Sequence, residues 1–141
     1  MAAGFFASTR YAVVGASANK AKFGNRVLCW YMEHGLSVVP VNPVAQEIEG
    51  LPCAKSLSDM EGANDSIKMR ATSVSVVTPP SVSEAVLREI AKLGIQHVWF
   101  QPGSEPPNMT ALAKELGIHV IGNGACILKE GQSLMKQQAV L

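Results

Sequence analysis

The chain has 141 residues, of which 48% are hydrophobic and 16% charged, and its formal net charge is +1 at pH 7. This composition is typical of a folded domain with a dry core and excludes a disordered chain. The basic residues are scattered rather than gathered in a stripe, and no apolar run approaches the roughly 18 residues of a membrane span. We therefore expect neither nucleic acid nor a membrane as a partner.

The three cysteines, Cys29, Cys53 and Cys126, are far apart and form no cysteine–histidine cluster with metal-ligand spacing. We therefore expect no metal site. A sparse, odd number of cysteines favours a reducing compartment. Residues 1–9 are apolar and lack acidic residues, but they run directly into the first predicted strand. We expect a cytoplasmic protein, with a mitochondrial location as the less favoured alternative.

The first half of the chain predicts two strands separated by a helix. The first strand covers 11–14 and runs into a Gly-Ala-Ser turn. A helical pattern over 24–34 follows, with a glycine directly after it. The second strand covers 36–41 and ends at an Asn-Pro pair. After it we expect a short edge strand within 48–53 and one helical turn within 56–60.

The second half repeats the alternation of strand and helix. A strand over 72–77 is rich in β-branched residues. The next helix is predicted to begin at Ser81, because a serine with Glu84 three residues later forms a capping box, and to end at Gly94. The remaining predicted elements are a strand, a helix and a strand over 95–100, 108–116 and 118–121.

Five strands without apolar–polar alternation predict a parallel sheet that is covered by helices on both faces. Right-handed crossovers then give a three-layer, doubly wound, Rossmann-like α/β fold. The sequence shows no linker, repeat or low-complexity segment. We therefore expect a single domain over residues 1–141, with its core at about 10–130.

In such a fold the ligand lies at the carboxyl ends of the strands, beside the point where the strand order reverses. The first of these ends carries the most information. Gly15 allows a tight turn, Ser17 supplies a hydroxyl, and free N–H groups here and at the helix start near Gly24 favour phosphate. Positive charge close by comes from Lys20, Lys22 and Arg26. The alternative is a turn that joins strand to helix and binds nothing.

The glycine pattern is not that of a dinucleotide-binding turn. Ser17 takes the place of the second glycine of G-x-G-x-x-G, and the next glycine, Gly24, comes several residues late. The second strand ends at Asn42-Pro43 and lacks the acidic residue that binds a ribose hydroxyl in NAD-binding proteins. Both observations count against an NAD(P)-dependent oxidoreductase, which remains an alternative. No Walker-type phosphate loop is present.

The order and spacing of these segments resemble the CoA-binding domain family, small stand-alone proteins similar to the amino-terminal domain of the succinyl-CoA synthetase α-subunit. The resemblance covers about residues 10–130. It rests on Val-Val-Gly-Ala-Ser at 13–17, Asn-Arg-Val at 25–27, Val-Pro-Val-Asn-Pro at 39–43 and Val-Trp-Phe-Gln-Pro-Gly at 98–103, followed by Cys126. Many members have a basic residue where this chain has Val44, and that residue can meet the ribose 3′-phosphate. In this chain the charge would come from Lys20, Lys22 or Arg26.

The resemblance implies that the chain binds CoA or an acyl-CoA in an extended pose. The phosphates would lie at Gly15, Ala16 and Ser17. The residues flanking them would be Lys22, Phe23, Gly24, Asn25 and Arg26. The adenosine end would pack near Pro40, Val41, Asn42 and Pro43. The floor of the pocket would be formed by Thr78, Pro79 and Pro80. The pantetheine path would be bordered by Gln101 and Gly103.

No catalytic residue is expected. His34, His97 and His119 have no nearby carboxylate in the sequence to orient them, so we expect a ligand-binding module without catalysis of its own. Cys126 lies on the ligand side of the sheet, and a thiol-redox regulatory protein in which it pairs with the pantetheine thiol is a further alternative. The apolar tail 139–141 leaves a homodimer open.

Overall fold

The computed structural model describes residues 2–140, apart from the side chains of residues 2, 3 and 138–140. Five parallel strands form the main sheet in the order β2-β1-β5-β6-β7. A separate antiparallel hairpin is formed by β3 and β4. The strands are β1 Arg10–Val14, β2 Val38–Val41, β3 Glu47–Ile48, β4 Leu51–Pro52, β5 Thr72–Val76, β6 His97–Phe100 and β7 His119–Ile121.

Helices cover both faces of this sheet. They are α1 Ala2–Phe5, α2 Phe23–Glu33, α3 Ser66–Arg70, α4 Pro80–Leu93, α5 Met109–Leu116 and α6 Ile127–Val140, with a 3₁₀ turn at Leu57–Asp59. The helix α6 contacts both α1 and α2, and α4 contacts α5 and the 3₁₀ turn. The three-layer, doubly wound, parallel α/β fold predicted from the sequence is therefore confirmed.

The two faces of the sheet have separate apolar cores because successive strand residues point in opposite directions. In β1, Ala12 and Val14 pack with the α4–α5 side, whereas Tyr11 and Val13 pack with the α2–α6 side. Every residue of the central strand β5 is buried. This double coverage explains why the strand sequences lack alternation.

The start of α4 differs from the prediction. The helix begins at Pro80 with Pro79 as its N-cap, and the capping box expected at Ser81 is wrong. Proline is favoured at the first helical position because its fixed φ fits the helix and it has no N–H to leave unpaired. The hydroxyl of Ser83 lies 3.1 Å from the Pro79 carbonyl oxygen and 2.8 Å from Thr78 Oγ1, and so secures the first turn.

Three further expectations concern membranes, metal ions and a homodimer. None of the helices within residues 2–140 is long and apolar enough to cross a membrane. Across the same residues, no group of three or more histidine, cysteine or acidic side chains is placed to hold a metal ion. The tail 139–141, on which the homodimer expectation rests, lies outside the described side chains.

Candidate functional site

The strand order reverses between β1 and β5. The chain passes from β1 to β2 on one side and then returns to form β5 on the other side of β1, so both neighbours pair with β1 in parallel. This arrangement leaves a crevice at the carboxyl ends of the two strands. The loops that follow the five strands form what we call the carboxyl edge, and they begin at Gly15, Asn42, Val77, Gln101 and Gly122.

The first turn, residues 15–18, is tightly packed. Gly15 has a φ of 94°, and a Cβ added to it would lie 2.6 Å from the carbonyl oxygen of Val77. A Cβ on Gly24 would overlap the carbonyl oxygen of Gly15. Both positions therefore require glycine, because the start of α2 and the end of β5 press directly on the turn.

Several backbone N–H groups point away from protein acceptors at this turn. Gly15 N–H donates to the carbonyl oxygen of Val41, and Lys22 has no side-chain bond that would cap α2. Within residues 2–140, no hydrogen-bond acceptor is found for the backbone N–H groups of Ala16, Ser17, Ala18, Phe23 and Gly24. A strand-to-helix turn with free N–H groups, facing the positive end of a helix, is suited to an anion.

The loop that follows the turn is held in shape by short side chains. Ser17 Oγ accepts a hydrogen bond from Asn19 N–H at 3.1 Å, and Asn19 Oδ1 accepts one from Ala21 N–H at 3.0 Å. Asn25 is buried in α2 and donates from Nδ2 to the carbonyl oxygen of Ser17 at 2.9 Å. These internal hydrogen bonds hold the turn and the following loop in one shape.

A carboxylate from the β3–β4 hairpin joins this group. Glu49 Oε2 accepts a hydrogen bond from Asn25 Nδ2 at 3.0 Å and lies 3.1 Å from Lys20 Nζ. The hydrogen bond from Asn25 and the ammonium group of Lys20 lower the pKa of Glu49. A glutamate carboxylate therefore stands next to the predicted phosphate turn.

The loop after β2 is tied to the first turn by Asn42. Its Nδ2 donates to the carbonyl oxygen of Ala16 at 2.9 Å, and its Oδ1 accepts from the N–H groups of Val44 and Ala45, each at 2.8 Å. Pro43 is exposed beside it. The Asn-Pro pair thus forms one wall of the crevice.

Gln101 has a different place from the one expected. Its side chain is fully buried, with Nε2 3.3 Å from Ser75 Oγ and Oε1 accepting a hydrogen bond from Ile127 N–H at 2.9 Å. Ser75 Oγ in turn lies 2.7 Å from the hydroxyl of Tyr31. Gln101 therefore connects the central strand to the start of α6 and does not face the crevice.

Beyond Gln101, a carboxylate joins two of the edge loops. Glu105 accepts hydrogen bonds from the N–H groups of Gly103 and Gly124, both at 2.9 Å. Burial opposes ionisation of Glu105, but backbone N–H donors outweigh it and lower the pKa. The loops after β6 and β7 are thereby held together.

An open cleft of about 560 Å³ lies between the start of α2 and the start of α6. Cys126 is half-buried in its wall, and its backbone N–H donates to Glu130 Oε2 at 2.7 Å. The lining residues are Phe23, Pro102, Gly124, Cys126, Lys129 and Glu130. A larger groove of about 710 Å³ lies beside α4, away from the carboxyl edge, and brings together no free N–H groups of this kind.

Comparison with known proteins identifies the family of this chain. The family described as CoA binding domain matches residues 9–132. The chain belongs to the CoA-binding domain family. A conserved hypothetical protein from Pyrococcus furiosus is 35% identical, with a TM-score of 0.75 over 86% of this chain and 97% of that one. The resemblance stated from the sequence is thus confirmed.

Two ligases contain a similar domain. The ADP-forming acetate–CoA ligase of Methanocaldococcus jannaschii is 32% identical over 85 residues, which are 60% of this chain and 11% of the ligase. A dinucleotide-forming acetyl-coenzyme A synthetase of Ca. Korarchaeum cryptofilum, solved with phosphate and ADP, is 25% identical, with a TM-score of 0.69 over 83% of this chain and 26% of that one. The CoA-binding domain described here thus corresponds to a small part of each ligase.

The predicted site residues fall into two groups in this CoA-binding domain. Those that are exposed or half-buried are Gly15, Ser17, Lys20, Lys22, Phe23, Arg26, Asn42, Pro43, Thr78, Pro79, Pro80, Gly103 and Cys126. Those with buried side chains or backbone, which support the site from behind, are Ala16, Gly24, Asn25, Pro40, Val41 and Gln101. In this second group, Ala16 and Gly24 still present free N–H groups.

Glu49 is the site residue that the sequence reading missed. Dinucleotide-binding folds have an acidic residue at the end of the second strand, whereas Glu49 returns to the carboxyl edge from a hairpin turn seven residues beyond Asn42. The available signal was Gly50 between two short apolar segments, because glycine favours the positive φ of a two-residue hairpin turn.

Proposed function

We propose that this domain binds coenzyme A or an acyl-CoA at the carboxyl edge of its sheet. The observation that carries the proposal is the group of five free N–H donors, at residues 16–18 and 23–24, at the point where the strand order reverses. Donors fixed before binding attract phosphate oxygens strongly because no loop has to reorganise. A pyrophosphate is the group that such a turn fits best.

The charges near the turn support an anionic ligand. Within residues 2–140, neither Lys22 nor Arg26 has a carboxylate within 4 Å, whereas Lys20 is paired with Glu49. Lys22 and Arg26 are both exposed and stand at the first turn of α2. Their positive charges therefore remain available for the phosphates.

The adenosine and the pantetheine arm of an extended CoA would lie on opposite sides of the first turn. In this proposal the adenosine lies toward Asn42 and Pro43, and the pantetheine arm runs toward the cleft beside Phe23, Pro102 and Cys126. An apolar ring and a proline suit the pantetheine chain, and the open side of the cleft leaves room for an acyl group.

We further propose that the domain acts without catalysis of its own. The ring of His34 stacks on Trp30 at a centroid distance of 4.0 Å, and its Nδ1 lies 2.7 Å from the Trp30 carbonyl oxygen. His97 and His119 stand at the amino ends of β6 and β7, opposite the crevice. None of the three histidines is therefore placed to transfer a proton to a bound ligand.

Titration calorimetry of the full chain with CoA tests this proposal. We expect saturable binding by the wild-type protein and a Kd raised about tenfold in Arg26→Met, because one charge-assisted hydrogen bond is lost. Lys114→Met removes an equally exposed charge from α5 and is expected to leave the Kd unchanged. Absence of heat at millimolar CoA would contradict the proposal. So would equal effects of the two substitutions.

A further inference from the structure

Glu49 occupies a position that the local backbone does not favour. The hairpin turn between β3 and β4 consists of Glu49 and Gly50, whose φ angles are 51° and 79°. Positive φ at both residues defines a type I′ turn, in which the first position favours asparagine, aspartate or glycine. A glutamate in this conformation is uncommon, and such outliers occur often at functional sites.

The side chain of Glu49 reaches the first turn across the crevice. A single amide nitrogen, Asn25 Nδ2, donates both to the carbonyl oxygen of Ser17 and to Glu49 Oε2. Lys20 Nζ contacts both oxygens of the same carboxylate, at 3.1 and 3.3 Å. Only 20% of the Glu49 side chain is exposed, against 80% for Lys20. The carboxylate is thus the fixed partner of the pair.

The chain that follows the hairpin is hydrogen-bonded to the end of β2. Ala54 N–H donates to the carbonyl oxygen of Pro40, and Asn42 N–H donates to the carbonyl oxygen of Ala54. In doubly wound folds the end of the second strand is where a nucleotide ribose lies, and a carboxylate there accepts hydrogen bonds from its hydroxyls. Glu49 brings a carboxylate to this region from a neighbouring loop.

We infer that Glu49 is a specificity-determining residue that disfavours a phosphate group on the ribose of the ligand. The inference rests on the proposed function. A pyrophosphate at the first turn meets Lys22, Arg26 and free N–H groups, whereas a further phosphate near the hairpin meets a carboxylate that already neutralises Lys20. CoA still binds at the first turn, but ligands with free ribose hydroxyls bind more tightly, and dephospho-CoA and ADP are the simplest probes of this preference.

The experiment compares the ratio of the Kd for CoA to the Kd for dephospho-CoA, measured by calorimetry on the full chain. Glu49→Gln keeps the length of the side chain and removes its charge, and we expect the ratio to fall about fivefold. Lys20→Met leaves the carboxylate without its counter-charge, and we expect the ratio to rise. Glu61→Gln is the matched control, because Glu61 is also paired with a lysine but lies near the start of β1.

Each outcome decides the matter. Opposite changes of the ratio in the Glu49 and Lys20 variants, with no change in the Glu61 variant, support the inference. An unchanged ratio in Glu49→Gln overturns it while leaving CoA binding intact. So does a selective loss of CoA affinity in Lys55→Met, which would place the ribose phosphate against the cation that follows Ala54. Absence of binding by CoA, dephospho-CoA and ADP alike overturns the proposed function as well.

Discussion

The side-chain amide of Asn42 donates a hydrogen bond to the carbonyl oxygen of Ala16, 2.9 Å away. This bond joins the loop after β2 to the turn after β1, and the other end of the same side chain fixes the N–H groups of Val44 and Ala45. One asparagine therefore sets the distance between these two loops of the carboxyl edge. Because the phosphates and the adenosine are proposed to lie against these two loops, both stability and affinity depend on it.

Asn42→Ala is expected to lower the free energy of unfolding by about 1–3 kcal/mol, since one buried acceptor and two N–H groups lose their partner. Urea denaturation measures this change, and calorimetry measures an accompanying loss of CoA affinity. Asn64→Ala is the control, because Asn64 is exposed and its side chain makes no hydrogen bond with residues 2–140. Equal stability of the two variants would contradict the role of Asn42.

Gln101→Leu is expected to destabilise the protein by about 2–3 kcal/mol. Leucine is of similar size but leaves Ile127 N–H without its buried acceptor, and Ser75 Oγ keeps only its hydrogen bond with the Tyr31 hydroxyl. The start of α6 should loosen, so amide exchange at residues 127–130 should accelerate. Gln96→Leu, at an exposed position just before β6, should change neither quantity. An unaltered exchange rate in Gln101→Leu would show that the glutamine does not hold α6.

The strands, and the residues at which strands and helices end, could be predicted from the sequence because each depends on local chemistry. The β-branched residues of β5 predict a strand, and both its valines and its small serines are buried. Gly94 and Gly117 end α4 and α5 in the left-handed conformation, with φ angles of 87° and 74°, as their positions after helical patterns predict. From such elements the parallel fold follows by rules of connection.

Tertiary contacts account for what the sequence could not reveal. The start of α4 offers both a capping box at Ser81 and a proline at the first helical position. The contact of Ser83 with Pro79 favours the start at the proline. The helix α6 was not predicted because Gly131 weakens its pattern, yet any Cβ there would collide with the ring of Trp30. Glu49 acquires its partners only when the hairpin folds back on α2.

Stability should fall as the pH decreases below about 6.5, and His97 should cause part of that fall. Burial, and then the neighbouring His119, lower the pKa of His97 from its ordinary value of 6.5. The rings stack at a centroid distance of 5.0 Å. Because the unfolded chain binds a proton more readily at this residue, the stabilisation is complete above the unfolded pKa and is lost as the pH falls below it.

Thermal unfolding between pH 8 and pH 5 measures this dependence. Between pH 8 and pH 5, the Tm of His97→Gln should fall less than the Tm of the wild-type protein, because the substituted side chain does not titrate. The comparison is made on the change of Tm with pH and not on Tm itself, so a constant loss of packing does not affect it. Parallel curves for the two proteins would show that His97 does not contribute.

Cys126 should react with CoA disulfide faster than the other two cysteines. Its thiolate attacks one sulfur of the disulfide, a protein–CoA disulfide forms, and one CoA leaves as its thiolate. Burial and nearby carboxylates raise the pKa values of Cys29 and Cys53, so fewer of their thiols are ionised. Cys126 lies in the cleft where the pantetheine arm is proposed to end.

Intact mass measured over time should show one CoA adduct, and peptide mapping should locate it on Cys126. Cys126→Ser should abolish the rapid phase, whereas Cys29→Ser and Cys53→Ser should preserve it. Excess ADP, which occupies the phosphate turn without a thiol, should slow the reaction if the ligand directs it. If ADP does not alter the rate, Cys126 reacts as an accessible thiol, and binding of the CoA disulfide at the site does not direct the reaction. An adduct on Cys29 or Cys53 first would show that the pantetheine end lies elsewhere.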